Sequence, residues 1–320
     1  MAQKPAKKEK PPKTINKKSW SFDFKKNWAV YVLFVPVLVY EIIFHYIPMF
    51  GIIMAFEDYN VIDGYFKSPF VGFQNFIDLF TGEEFLTALR NTISIALIKG
   101  TLGFIAPIIF AFFLTLVHHK LFKRSVQTMS YLPNFVAAVV VASLFTQFLG
   151  KDGPLTLFLT NFGFENQNWF ANNNIPVFWF LYLFMGIWQS VGWGSIMYVA
   201  AISQVSGDLH EAAAIDGATR LQRLTKITLP NIVPMIVMMM VINIGISFSA
   251  GFDSILLLYM PSTYNVADTV YTYTYRMAFG GGITNYSLSA ASGLFQSVVG
   301  TVLLVVSNKL ARKLSDTSLF

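Results

Sequence analysis

Ser206-Gly207-Asp208-Leu209-His210-Glu211-Ala212-Ala213-Ala214-Ile215-Asp216-Gly217-Ala218 runs on as Thr219-Arg220-Leu221-Gln222-Arg223-Leu224-Thr225-Lys226-Ile227-Thr228-Leu229-Pro230. On either side of this segment charge vanishes. No Asp, Glu, Lys or Arg occurs between Glu165 and Asp208, and none between Lys226 and Asp253. A bilayer asks about 20 predominantly apolar residues of each helix that crosses it, and both flanks satisfy that. The quoted segment therefore reads as a polar loop joining two membrane spans. Two helix starts are written in it. Asp208 with Glu211 three residues later is an acidic variant of the capping box, and Thr219 with Gln222 is a second box. Gly217 between them is predicted to adopt the left-handed conformation that ends the first helix. The expectation is a short Ala-rich helix, a sharp turn, and a second helix that enters the membrane at Pro230. Small side chains let the first helix bring its backbone close to another surface.

The rest of the composition agrees with spans. Of 320 residues, 54% are hydrophobic and only 12% charged, with a mean hydropathy of +0.53. Soluble domains carry about 25% charged residues. Half of that cannot cover a globular surface of this size, and the 32 Phe outnumber the 23 Lys plus Arg. A soluble multidomain protein and a disordered chain are excluded, and apolar runs of this length mean helices rather than a β-barrel. The chain has no Cys, hence no disulfide or thiolate chemistry.

Six spans are predicted, at 28–56, 90–117, 125–148, 176–202, 231–258 and 286–308. The first is too long for a signal-peptide core and no small-residue cleavage site follows it, so it reads as an uncleaved span. Residues 1–26 hold nine Lys and read as a disordered basic tail. The membrane domain would cover 27–313, with the polar loop at 203–230 and a short tail at 314–320. Placing the N-terminus in the cytoplasm puts the nine tail lysines there, with Lys120, Lys123, Arg124, Arg220, Arg223, Lys226, Lys309, Arg312 and Lys313. Only Lys67, Arg90, Lys99, Lys151 and Arg276 remain elsewhere. This asymmetry favours both termini inside. The net charge of +6 is thus orientation charge rather than a cue for nucleic acid. Glu41 and Lys99 fall within spans, where an unpaired charge costs roughly 2.5–3.5 kcal/mol. Glu41, with His45 one turn away, is expected to face Lys99 or a polar group of a partner; alternatively Lys99 snorkels outward.

Glu211-Ala212-Ala213, Gly217, Ile227 and Leu229-Pro230 in this spacing resemble the EAA loop of bacterial ABC importer permeases. Val71-Gly72-Phe73-Gln74-Asn75-Phe76 and Ala88-Leu89-Arg90-Asn91-Thr92 are similar to the segment before span two in maltose-type sugar permeases. Phe44-His45-Tyr46-Ile47-Pro48-Met49, Asp268-Thr269-Val270-Tyr271-Thr272-Tyr273-Thr274-Tyr275-Arg276 and Gly293-Leu294-Phe295-Gln296-Ser297 resemble a subgroup importing oligosaccharides from complex polysaccharides. The resemblance runs from residue 28 to 313. It departs at Leu224, where the family often carries an aromatic residue; Leu keeps the apolar contact.

The resemblance implies an all-α membrane protein of the bacterial cytoplasmic membrane, in contact with lipid on its outer faces. It implies that Glu211, Ala212, Ala213, Asp216, Gly217, Ile227, Leu229 and Pro230 form the contact with an ATPase. Its partners would be a second, non-identical permease subunit, two ATP-binding subunits with their ATP and Mg, and an extracytoplasmic binding protein that delivers oligosaccharide. ATP binding would move the coupling helices and switch the path outward; hydrolysis would reset it. This chain itself has no phosphate loop of the Gly-x-x-x-x-Gly-Lys-Ser/Thr kind, so it is read as a non-enzyme that binds no cofactor. His118 and His119 are adjacent and do not share a helix face, so they read as an interfacial basic patch rather than a metal site. Candidate substrate-path residues are Gln189, Trp193, Asn243, Ser247, Asp253 and Gln296. The same residue types also satisfy contacts between spans. The competing reading is a stand-alone ion-coupled carrier or channel, but such carriers commonly show internal repeats with broken helices in matching places, and no convincing repeat is visible.

Overall fold

The computed structural model describes residues 20–247, 252–280 and 284–314, with side chains for 24–244, 254–280, 284–310 and 312. The chain divides into one unit ending at Gly51 and a second that begins at Ile52.

α1 (Trp20–Glu41) continues through a π turn at Ile42–Tyr46 into a 3-10 segment, Ile47–Phe56, within which the first unit ends. The disordered tail expected over 1–26 therefore gives way to helix at Trp20. The boundary at Lys26 is instead a kink at Asn27, whose φ/ψ of −114°/21° is not helical. Phe24 and Tyr31 meet across it as tilted rings with centroids 5.0 Å apart. Residues 1–19 lie outside those described. Glu41 pairs with His45 at 3.2 Å, as two residues one turn apart do.

After Phe56 the second unit continues with α2 (Gln74–Thr81) and α3 (Glu83–Ile98), followed by a π turn at Lys99–Gly103 and α4 (Phe104–Leu116). Next come α5 (Lys120–Tyr131), a 3-10 turn at Leu132–Phe135, α6 (Ala138–Phe148), α7 (Pro154–Thr160) and the long α8 (Ile175–Ser203). The polar loop holds α9 (Gly207–Ile215) and α10 (Arg220–Arg223), which passes through a π turn at Leu224–Thr228 into α11 (Leu229–Ser247). The chain ends with α12 (Phe252–Leu258), α13 (Tyr264–Ala267), α14 (Val270–Phe279) and α15 (Tyr286–Leu314).

Among the described residues, five helical stretches are long and apolar enough to cross a membrane, at Phe24–Phe56, Glu83–Leu116, Ile175–Ser203, Arg220–Ile244 and Tyr286–Leu310. The third predicted span differs. Instead of one straight crossing at 125–148, Lys120–Phe135 and Ala138–Phe148 meet at 101°. Pro133 cannot donate a backbone hydrogen bond, and Val136 and Ala137 are extended, so the ladder is interrupted there. A broken helix inside a bilayer must satisfy the freed backbone groups from elsewhere. The Gln189 side-chain amide of α8 donates to the Val136 carbonyl at 3.0 Å, and Trp193, one turn on, meets Phe135 edge to face at 5.3 Å.

Three π turns share a cause. Pro48, Pro107 and Pro230 each clash with the carbonyl four residues earlier, that is, of Phe44, Gly103 and Lys226. Each of those residues lies within a π turn. Widening the turn relieves the clash without ending the helix.

Two buried clusters organise the second unit. Ile95, Val141, Phe170, Phe178, Met185, Ile255 and Leu258 form one, and Leu79, Phe85, Ala88, Val270, Tyr273 and Ala291 the other. Helices α5 and α8 cross in backbone contact, because a Cβ on Gly192 would land on the Ser130 carbonyl. Small residues at such crossings are the usual means of close approach in membranes. Gly192→Leu should therefore force the helices apart, at a cost of about 1–3 kcal/mol or more. A lowered melting temperature of the detergent-solubilised protein, against an unchanged Gly186→Leu control in open space, is the measurement.

Candidate functional site

The polar loop is braced at each end of α9. Ser206 is the N-cap, its Oγ accepting from the Asp208 amide at 3.3 Å. The cap expected at Asp208 lies two residues earlier, and Asp208 sits in the first turn, where its charge opposes the helix dipole. At the other end Gly217 has φ +77°, and the Ala218 amide donates to the Ala213 carbonyl at 2.9 Å. That bond closes the C-terminal turn of α9. The Thr219–Gln222 box is complete: the Thr219 amide donates to Gln222 Oε1 at 2.7 Å and the Gln222 amide to Thr219 Oγ1 at 3.3 Å.

The loop is braced internally and faces the ends of α4 and α8 across a cleft. Arg223 Nη1 donates to the His210 carbonyl at 3.4 Å, and Thr228 Oγ1 lies 3.5 Å from His210 Nε2. Together with Thr115, His118 and Ile202 these residues line a cleft of about 250 Å³. What the loop turns outward is mixed in character. Glu211, Ala212, Asp216 and Gly217 are exposed, and Ala213 is half-buried. Ile227 and Leu229 are half-buried around buried Thr228, with Pro230 exposed at the entry to α11. Three apolar side chains stand in solvent: Leu209, Leu221 and above all Ile215, 87% exposed. Motif reading passed over these three. Their signal was an apolar side chain inside an otherwise polar loop.

The opposite end of the bundle carries a polar knot. It joins two segments singled out above for their family resemblance, Ala88–Thr92 and Asp268–Arg276. Arg90 Nη2 donates to the Asn265 carbonyl at 2.6 Å. Asn91 Nδ2 donates to the carbonyls of Asn265 and Asp268 at 3.1 and 2.9 Å. The Val270 amide donates to Thr92 Oγ1 at 2.8 Å. Arg276 reaches Asp268 at 2.6 Å and Glu84 at 3.0 Å, and lies 4.7 and 5.5 Å from the ring centroids of Tyr264 and Tyr273. Burial pushes the Asp268 carboxyl above its usual pKa, against the Thr272 hydrogen bond and the Arg276 charge.

Between these ends, a cavity of about 320 Å³ opens within the spans, lined in part by Lys99, Phe104, Tyr182, Ser190, Tyr198 and Asn243. The substrate-path candidates do not converge. Asn243 lines this cavity, Gln189 and Trp193 brace the broken span, and Gln296 is buried on α15. The side chains of Ser247 and Asp253 lie outside those described.

A family model described as "Binding-protein-dependent transport system inner membrane component" matches residues 103–316. Protein LplB of Bacillus subtilis is 36% identical over 320 residues, covering 99% of both chains. The polygalacturonan/rhamnogalacturonan transport system permease protein YteP of the same organism is 37% identical, covering 91% of this chain and 90% of its own. A crystal structure of a bacterial ABC transporter involved in importing the acidic polysaccharide alginate contains a chain with TM-score 0.84 and 36% identity, covering 92% of this chain and 99% of that one. With that membership the reading as a stand-alone carrier falls away. A multi-pass protein of the cytoplasmic membrane, without enzymatic activity of its own, this chain belongs to the inner-membrane permease components of binding-protein-dependent ABC importers.

Proposed function

We propose that the chain forms half of an oligosaccharide path and that residues 203–230 couple it to ATP hydrolysis. The observation that carries the coupling role is α9 itself. It is capped at one end, closed by Gly217 at the other, and offers Glu211, Ala212 and Ile215 to solvent. A short stiff helix with an exposed apolar tip can fill a pocket on another protein and transmit its movement without bending. The partners are a second, non-identical permease subunit and two ATPase subunits that hold ATP and Mg²⁺. An extracytoplasmic binding protein delivers the sugar. Two relatives support the substrate class, since their names specify polygalacturonan/rhamnogalacturonan and alginate. The distribution of Lys and Arg supports cytoplasmic termini and a cytoplasmic loop, with the Arg276 knot outside.

Sidedness is directly testable, because the chain is Cys-free. A Cys at position 219 should resist an impermeant thiol reagent in intact cells and react once the membrane is opened. A Cys at position 62 should react in intact cells. Labelling of position 219 from outside would reverse the orientation and remove the loop from the ATPase side.

A further inference from the structure

We propose that the cavity at Lys99 is a subsite for an anionic group on the transported glycan, a uronate carboxylate in the simplest case; this rests on the oligosaccharide reading above. Lys99 begins the π turn forced by Pro107, and this bulge sets its ammonium against the cavity. Nζ lies 5.7 Å from the ring centroid of Tyr182, a cation–π contact that keeps the charge beside the cavity. Among the described residues from Ile52 onward, no carboxylate pairs with it. A cation held among apolar helices without an anion attracts one.

The remaining walls suit a sugar. Tyr182, Tyr198 and Phe104 supply ring faces, and Ser190 and Asn243 supply hydrogen-bonding groups. The volume, about 320 Å³, is at the lower end of small-molecule sites, about 300–1,000 Å³. That matches one unit of a chain passing through rather than a whole oligosaccharide. An ammonium is a point charge with three rotatable donors. It meets a carboxylate in many orientations, which suits a ligand that slides. A site on a conduction path must release as readily as it binds, and one such contact satisfies that better than a rigid bidentate clamp. A neutral glycan would use the rings and hydroxyl partners but leave the charge unmet.

The test uses the complete transporter with its binding protein in proteoliposomes. Uptake of trigalacturonate is compared with uptake of its methyl ester, the same glycan without charge, for wild type, Lys99→Gln and Lys99→Arg. The binding protein's own preference is common to all three and cancels when the acid-to-ester ratios are compared. Loss of one charge-assisted contact should lower that ratio about tenfold in Lys99→Gln and leave it nearly unchanged in Lys99→Arg. An unchanged ratio in Lys99→Gln overturns the subsite. Equal loss of both sugars, restored by Arg, also overturns it, since that is the signature of an ion pair with another subunit. Should Lys99→Gln fail to assemble, Lys99→Cys can be labelled with a cationic or an anionic methanethiosulfonate. Acid preference must then follow the charge of the label, or the subsite is wrong. A wild-type transporter that carries neither these sugars nor any other oligosaccharide its binding protein holds fails the oligosaccharide reading itself and takes this inference with it.

Discussion

Gly217→Val is expected to cut ATP-driven uptake about five- to thirtyfold while leaving the subunit folded in the membrane. The factor is the ~1–2 kcal/mol that an L-residue pays in the left-handed region, and β-branching makes Val worse than most. Space is not the issue, since a Cβ at Gly217 would meet nothing within 4 Å. The backbone is, because φ +77° is what lets the Ala218 amide close α9 on the Ala213 carbonyl. Gly217→Asn should therefore keep much more uptake than Gly217→Val, since Asn tolerates that conformation. The readout is uptake against ATPase activity in the assembled complex: hydrolysis that persists without transport marks a misdirected α9. If Val and Asn behave alike, φ is not what matters at this position. Ala213→Trp probes the same surface by bulk, and Glu211→Gln tests for an ion pair with the ATPase, since Ser206 caps α9 and Gln removes only the charge of Glu211.

Arg276→Met is expected to cost about 3–5 kcal/mol, the loss seen when one partner of a buried pair is removed. Asp268 is only 2% exposed, and Met would leave it without its cation. Glu84 contributes little to this figure, because its side chain is 67% exposed and its half of the knot is screened. The deficit should depend on pH with a definite sign. Removing the guanidinium raises the folded-state pKa of Asp268 further, so the cost is greatest at neutral pH. It shrinks as pH falls through that raised value and vanishes once pH lies below the wild-type folded value, where Asp268 is neutral in both proteins. Melting temperatures of wild type and variant in detergent, taken from pH 7 downward, should converge. Parallel curves would assign the loss to the ring contacts with Tyr264 and Tyr273 instead. The double variant Arg276→Met, Asp268→Asn should recover part of the loss.

The features legible in the sequence were those written locally. Charge-free runs located the spans, Thr219 and Gln222 announced their own box, and Gly217 could hardly have served another purpose between two helix starts. What escaped depended on the competition between neighbours or on distant residues. Asp208 and Ser206 are both competent N-caps, and the helix takes the earlier one. The straight span expected at 125–148 is broken after Pro133, and the freed Val136 carbonyl is met by Gln189, far along the chain. The Gln189 amide nitrogen, proposed from the sequence for the sugar path, thus has a structural partner within the protein. The π turns were unreadable as such, although each proline that causes one was visible. Lys99 stood out as a charge within a span, but only the packing of α4, α8 and α11 placed a cavity beside it.

The knot between Ala88–Thr92 and Asp268–Arg276 also sets a schedule. Arg90 and Asn265 are 175 residues apart, so at about 5–20 residues per second the ribosome needs roughly 9–35 seconds to make the partner after the first half emerges. Throughout that interval the Asn91 amide nitrogen lacks the two carbonyls it meets in the finished bundle, and Thr92 lacks the Val270 amide. The bundle can be sealed at that end only after nearly the whole chain has been synthesised. A product truncated before residue 260 carries an open polar edge, and membrane quality control has a feature by which to recognise unfinished subunits.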